Sequence, residues 1–363
     1  MENKIILKEA YFGEKETEIL SSEDFSASLF TYSTGVKAVR IKNSKGSFIA
    51  LPYMGQMIWR AEFLGYEMTM KTIFDEPIAA KDVFHETYGC FLMHCGLTAM
   101  GNPTAEDDHK PHGELPICKY DSAYILVGED EGGKYIGISG VYTHKLCYTY
   151  DYEFSPVIKL YADATYLDVS VSFKNNKDVP LEYYYLCHIN HRPVNGATLS
   201  YTADRKKIKV NHEVPDVYFC KSDADATNKY LDMLDKDPSI MDKIGEDYQC
   251  YRPEIVFYAQ YEADECGNAY TMQKNPDGYA TYVVHKPAEL PYGIRWISRT
   301  DDEDTMGMVL PATSEHLGKL YCQKNGQSSF LNKGESVSYH MQTGYLTPAE
   351  ATAMQEKIKK MGF

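Results

Sequence analysis

Leu167-Asp168-Val169-Ser170-Val171-Ser172-Phe173 alternates apolar and polar side chains without a break. A period of two puts Leu167, Val169, Val171 and Phe173 on one face of an extended chain and the polar residues on the other, the pattern of a half-buried strand. Working outward, β-branched and aromatic runs recur at Val36–Ile41, Tyr124–Val127, Lys134–Ser139, Val157–Tyr161, Ile255–Tyr258 and Thr281–His285. Turn-forming clusters stand between such runs, at Asn43-Ser44-Lys45-Gly46, Glu131-Gly132-Gly133-Lys134, Asn175-Asn176-Lys177-Asp178 and Asn275-Pro276-Asp277-Gly278. Strands at a spacing of roughly 8 to 12 residues, with no helix between successive ones, predict an all-β protein: a large twisted antiparallel β-sandwich with few helices.

Helical signal is sparse. Ala224 to Asp247 has helix-like apolar spacing interrupted by Pro238, and reads as a helical insertion near 224–247. Thr347-Pro348-Ala349-Glu350 is a capping box with proline at the first helical position, opening a C-terminal helix over 348–361. No repeat, low-complexity tract or linker divides the sequence, so residues 1–363 are expected to form one domain.

Composition narrows the partners. The 363 residues carry a formal net charge of −15, from 52 acids against 37 bases. That balance argues against nucleic acid, whose binding needs lysines and arginines to displace phosphate counterions, and against an anionic membrane surface. A neutral or weakly charged small molecule is the partner left open. The amino terminus has no apolar signal-peptide core, and no run approaches the roughly 20 apolar residues of a spanning helix. Nine cysteines without a CxxC pair read as reduced, mostly buried thiols. These features together predict a cytoplasmic protein; the oligomeric state leaves no trace in the sequence. GxGxxG, P-loop, HExxH and GxSxG motifs are absent, which leaves nucleotide cofactors and serine-nucleophile chemistry unsupported.

Three stretches hold chemistry-bearing side chains. The first runs from His94-Cys95-Gly96 through Glu106-Asp107-Asp108-His109-Lys110-Pro111-His112-Gly113-Glu114, and its glycines and prolines make it a loop. Loops on a rigid sheet are where binding and catalytic groups concentrate. His109 or His112 can serve there as a general acid, or His109, His112 and Glu114 can gather a metal; a solvated polar loop has the same composition. The second is Cys187-His188-Ile189-Asn190-His191-Arg192 at the end of a tyrosine-rich run. On a strand His188, Asn190 and Arg192 share one face, bringing together an acid/base, an amide and a guanidinium. A hydrogen-bonded core histidine is the plain alternative. The third contains Arg295-Trp296 and the acidic run Asp301-Asp302-Glu303-Asp304, followed by Leu310-Pro311 and Glu315-His316. Trp296 can stack on a sugar face or fill core, and the acidic run fits a solvated turn.

In this order the three stretches resemble the galactose-mutarotase-like superfamily, and most nearly its branch of aldose 1-epimerase-like proteins. Leu51-Pro52-Tyr53-Met54-Gly55-Gln56-Met57-Ile58-Trp59 resembles that branch's first signature, His112-Gly113-Glu114-Leu115-Pro116 its loop histidine, and Cys187-His188-Ile189-Asn190 its strand histidine. Phe330 to Tyr339 resembles the closing strand pair. The resemblance implies a β-sandwich whose open cleft binds a monosaccharide and interconverts its α and β anomers without a cofactor. A glutamate takes the proton of the anomeric hydroxyl while a histidine protonates the ring oxygen. By position His188 matches the acid and His112 the second histidine. Asn190 and Arg192, with Arg60, Trp296 and His94, are the further candidates for holding the sugar.

One position departs from the pattern. Where the family commonly carries a glutamate before a proline, this chain has Leu310-Pro311. Leucine accepts no proton, so Glu114, Glu315 or Asp304 must supply the base, or the chemistry differs. A metal-assisted sugar isomerase with Zn²⁺ or Mn²⁺ on His109, His112, Glu114 and His188 is the second expectation. A non-catalytic carbohydrate-binding or sensing protein is the third. Arg60, Arg192, Arg295 and Arg299 are the cations that an anionic substrate would meet.

Overall fold

The computed structural model describes residues 2–212, 221–246, 251–252 and 254–363. Asp247, the far end of the expected helical insertion, lies outside them. Two antiparallel sheets carry the chain. In spatial order, the nine-stranded sheet consists of Asn3–Leu7, Ser122–Asp130, Gly133–Leu146, Tyr150–Tyr161, Tyr166–Asn175, Ser336–Leu346, Ala280–His285, Ala269–Lys274 and Thr198–Tyr201. The second sheet runs Lys209–Val210, Ile255–Ala259, Tyr292–Arg299, Asp304–Ala312, Leu181–Ile189, Leu92–Leu97, Ile58–Phe63, Gly46–Ala50, Lys37–Lys42, Ser26–Thr31 and Thr17–Ser21. The expected large antiparallel β-sandwich is thus present, with few helices.

Leu167, Val169, Val171 and Phe173 all point between the sheets, each 2% exposed or less. They meet side chains such as Ile158, Phe154 and Tyr185 from both layers, in one continuous core. Removing this apolar area from water, at about 25 cal/mol per Å², holds the layers together.

The second sheet differs from that pattern. Leu181–Ile189, Leu92–Leu97 and Asp304–Ala312 are buried on both faces. Tyr183, Tyr185, Cys187 and Ile189 face the other sheet, while Tyr184 and Leu186 belong to a separate apolar cluster on the outer face. Loops cover that outer face, and the cleft opens there.

Helices are peripheral. Lys221–Lys236 is α-helical and is followed by a 3-10 turn at Pro238–Asp242. Pro348–Lys360 is a helix whose Thr347 and Glu350 form the expected capping box. Among the described residues no helix is long and apolar enough to cross a membrane.

Candidate active site

The cleft, of about 1190 Å³, lies on the outer face of the second sheet. Its floor follows from strand periodicity. Residues two apart on a strand share a face, so Glu254 leads to Val256, Ile294 to Trp296, and Leu186 to His188; all six line the cleft. Ile294 is paired with Leu310 across the ladder, and Val256 with Trp296. Polar and aliphatic side chains are thus interleaved on the wall, Glu254, Trp296 and His188 among Val256, Ile294, Leu310 and Leu186.

His188 has a defined proton. The Asn190 carboxamide is oriented by its Nδ2, which donates to the Cys90 carbonyl at 2.9 Å. Its Oδ1 stands 2.7 Å from His188 Nδ1 and accepts from the Tyr88 hydroxyl at 3.0 Å. An amide oxygen only accepts, so Nδ1 carries the hydrogen. Burial pushes the pKa of His188 down to about 3. The ring is therefore neutral near pH 7, and its Nε2 keeps a bare lone pair.

His112 approaches from the loop, its ring 5.4 Å from that of His188 and nearly perpendicular. Burial, with His188 as the next contribution, holds its pKa well below the usual value. Its Nδ1 is buried without a partner. A buried bare nitrogen is cheaper than a buried orphan N–H, which places the hydrogen on Nε2. The two imidazoles thus offer opposite polarity, a donor on His112 and an acceptor on His188. Burial likewise lowers the pKa of His85, and that of His316 to about 4; both line the same cleft, and His316 Nδ1 lies 3.0 Å from the Tyr258 hydroxyl.

The loop is fixed by its own polar residues. The His112 N–H donates to Gly101 O at 2.9 Å and its carbonyl accepts from Gly96 N–H at 2.9 Å. This holds His112 at φ +60°, a left-handed conformation that costs a non-glycine residue about 1–2 kcal/mol. Gly113 follows at φ +74°, where a Cβ would stand 2.3 Å from the carbonyl oxygens of both Ala99 and Gly96. Gly113→Ala is expected to cost at least about 2 kcal/mol of stability and to displace His112. Urea denaturation checks this, and a loss under 0.5 kcal/mol would refute the packing argument.

The carboxylate that sequence reasoning missed is Glu254. It is half-buried in the cleft wall, and desolvation raises its pKa, opposed by a hydrogen bond from Trp296 Nε1 at 2.5 Å. The Trp296 ring in turn lies 5.3 Å from His188. Glu254 comes directly before the unbroken apolar strand Ile255–Ala259. A charged residue abutting a doubly buried strand was the available signal.

The other candidates are placed as follows. Trp296 lines the cleft. Glu114 lies beneath the loop, accepting from Thr98 N–H at 3.0 Å, the Thr98 hydroxyl at 2.8 Å and the Tyr152 hydroxyl at 2.5 Å. His109 Nε2 accepts from Lys319 N–H at 3.2 Å, and Asp107 accepts from Leu320 N–H at 2.9 Å, so both pin the loop to helix Lys319–Lys324. His109 and Glu114 are therefore not gathered with His112 and His188. Among the described residues no three His, Cys, Asp or Glu side chains group to hold a metal ion. His94 points between the sheets, with Nδ1 2.9 Å from the Tyr185 hydroxyl.

Asn190 sits behind His188 and does not line the cleft. Arg60 is spent on the carbonyls of Trp59 and Gly89 and Arg192 on that of Thr69, while Arg295 lies 3.9 Å from Asp242 and Arg299 is paired with Asp304. None of the four arginines lines the cleft. Asp304 is consumed by Arg299, and Glu315 accepts from the Tyr321 hydroxyl at 2.8 Å away from the cleft. Leu310 lines the cleft, opposite Ile294.

A family model described as Domain of unknown function (DUF4432) matches residues 33–344. No curated protein matches the chain by sequence. A solved structure described as a "putative aldose 1-epimerase" from Klebsiella pneumoniae superposes with a TM-score of 0.81 at 16% identity, covering 100% of this chain and 96% of that one. A galactose mutarotase-like protein from Clostridium acetobutylicum gives 0.57 at 11% identity, covering 89% and 99%. Another from Lactobacillus casei gives 0.54 at 10% identity, covering 85% and 99%. At these identities the likeness establishes the fold.

Proposed function

The chain belongs to the DUF4432 family, and from its cleft we propose that it is an aldose 1-epimerase-like isomerase acting on a monosaccharide, with His188 and Glu254 as the proton-transfer pair. The observation that carries this reading is a half-buried carboxyl with a raised pKa and a bare imidazole nitrogen on one wall of one cleft. Anomer exchange needs a base and an acid held at the two oxygens of the C1–O5 unit, each in its working protonation state.

The polarity is the reverse of the one the sequence resemblance implies. His188 Nε2 takes the proton of the anomeric hydroxyl as the C1–O5 bond breaks, and the Glu254 carboxylic acid gives its proton to O5. The aldehyde then turns about C1–C2. On closure the Glu254 carboxylate recovers the proton from the attacking C5 hydroxyl, while the His188 imidazolium returns its proton to the carbonyl oxygen on the other face of C1. Bonds and protons balance over the cycle. While the ring is open, imidazolium and carboxylate face each other, and their attraction offsets the cost of charging two buried groups. His112 donates from Nε2 to a sugar hydroxyl, and Asn190 acts as a positioning residue that fixes the His188 tautomer.

Saturation-transfer NMR on a panel of free aldoses, with and without the protein, tests the proposal. Enhanced α/β exchange on at least one sugar is expected; a sugar that binds without faster exchange would replace this reading with that of a binding protein. The pH profile separates the two polarities. An acid role for Glu254 needs its protonated form, which is present below its raised pKa and lost as pH climbs through it. Exchange per mole of protein is therefore expected to fall with rising pH on that limb. A base role for Glu254 would make the same limb rise.

A further inference from the structure

We infer that the cleft continues past Glu254 into a second, hydroxyl-binding subsite, and that the substrate is an uncharged reducing oligosaccharide whose last unit undergoes the anomer exchange. This rests on the proposed anomer-exchange reading for the position of the reacting unit. The register, exposure and polarity of the wall supply the rest.

Register sets the direction. Leu186 and Tyr292 both pair with Ala312, so His188 and Ile294, each two residues on, stand level. Ile255 pairs with Ile297, and Glu254, one residue earlier, stands near the level of Ser298. Along the wall the order is therefore His188, Trp296, Glu254, and then Thr300 with the turn through Asp302 and Glu303. Thr300 is two residues past Ser298, about 7 Å at the rise of a strand. That is the reach of one further sugar ring. The cleft has room for it: its volume of about 1190 Å³ exceeds the roughly 300–1,000 Å³ of sites that enclose drug-sized ligands, which are themselves larger than one hexose.

Beyond Glu254 the side chains present surface to a ligand. Arg252, Ser298, Thr300 and Glu303 are half-buried, Asp302 is exposed, and all five line the cleft. Ile73, two residues from the Lys71–Asp304 bridge, adds an exposed apolar surface for the C–H face of a ring.

Their polarity is mixed. Arg252 only donates, and its Nη2 lies 3.4 Å from Asp301. Asp302 and Glu303 only accept, and Glu303 Oε2 takes the Thr300 hydroxyl at 3.3 Å. A sugar hydroxyl donates and accepts, so it satisfies either kind. A phosphate or carboxylate would meet Asp302 and Glu303, and an ammonium would meet Arg252. Glu254 serves O5, so the subsite lies past the O5 side of the reacting ring, toward C6 and C4. The second unit is therefore joined at O6 or O4 rather than at O2.

The probes are glucose, isomaltose (1→6), maltose and cellobiose (1→4), kojibiose (1→2), glucose 6-phosphate and 6-amino-6-deoxyglucose, with Kd read by calorimetry. Two net hydrogen bonds suffice for about tenfold in affinity. At least one 1→6 or 1→4 disaccharide is expected to bind tenfold or more tighter than glucose, while kojibiose and both charged sugars gain less than threefold. Replacing Asp302 and Glu303 together with alanine brings the disaccharide-to-glucose ratio below threefold; Arg252→Ala repeats the test should that variant not fold. No 1→6 or 1→4 disaccharide gaining tenfold, kojibiose gaining as much, or a charged sugar gaining tenfold overturns the inference. NMR exchange on the same sugars keeps the two readings apart. A disaccharide that binds tightly without anomer exchange retains the subsite and removes the isomerase. Exchange on glucose with no disaccharide gain does the reverse.

Discussion

Replacing Glu254 with glutamine slows anomer exchange by roughly 10²–10⁴-fold, the usual contribution of one positioned acid–base group. Glutamine matches the shape of glutamate, and its Oε1 still accepts from Trp296 Nε1, so the wall keeps its geometry. What is lost is the proton that must reach O5 as the ring opens. Sugar affinity, read by calorimetry, changes little because the acid acts chiefly in the transition state. Glu315→Gln is the matched control. Its carboxylate is bound to Tyr321 and Gln327 outside the cleft, and exchange should stay within about threefold of the parent. A Glu254→Gln variant that exchanges anomers at the parent rate would remove Glu254 from the mechanism.

The second large effect is on stability. Burial pushes His94, His188, His191 and His285 down to about 3 and His316 to about 4. In the unfolded chain each would titrate near 6.5. As pH falls below 6.5 the unfolded state takes up protons that the folded state refuses, so stability is lost as the solution becomes more acidic. By pH 5.5 each such histidine has removed on the order of 1 kcal/mol. Five together approach the whole stability of an ordinary domain, about 5–15 kcal/mol. Carboxylates held low, such as Asp264 beside Lys357, release their share only nearer their own unfolded value of about 4. Urea denaturation at pH 7.5 and 5.5 is expected to show a fall of several kcal/mol, and equal midpoints at the two pH values would refute it. His285→Gln should flatten the slope, because both nitrogens of His285 are buried without partners.

Much of the fold is legible in alternation. Leu167 to Phe173 identifies its strand and its buried face because one side of that sheet meets solvent. Leu92–Leu97 and Leu181–Ile189 lose the signal because both their faces are covered, and a run buried on both sides no longer says which side bears a cleft. His188 and His112 were legible as paired histidines. The functions of Glu114, His109 and Asp107 were not, since a loop rich in acids and imidazoles reads alike whether those groups face a ligand or tie down the loop. Glu254 escaped for a geometric reason. Strands Ile255–Ala259 and Asp304–Ala312 flank the same neighbour, Tyr292–Arg299, in the sheet, yet they are far apart in the chain. Sequence proximity to Leu310 points to Asp304 and Glu315, whereas Glu254 reaches the cleft from the end of a strand two places away in the sheet.

That arrangement bears on how an active site can drift during descent. A wall built from parallel rows of side chains gives a lost acid–base group several replacement sites, each a strand or two away and facing the same substrate. Aligned column by column, such a chain reads as a degenerate enzyme missing its essential glutamate. Under the proposed mechanism, comparison by the surface its strands jointly present finds the acid–base group on a different strand of the same wall, with position 310 left to a leucine.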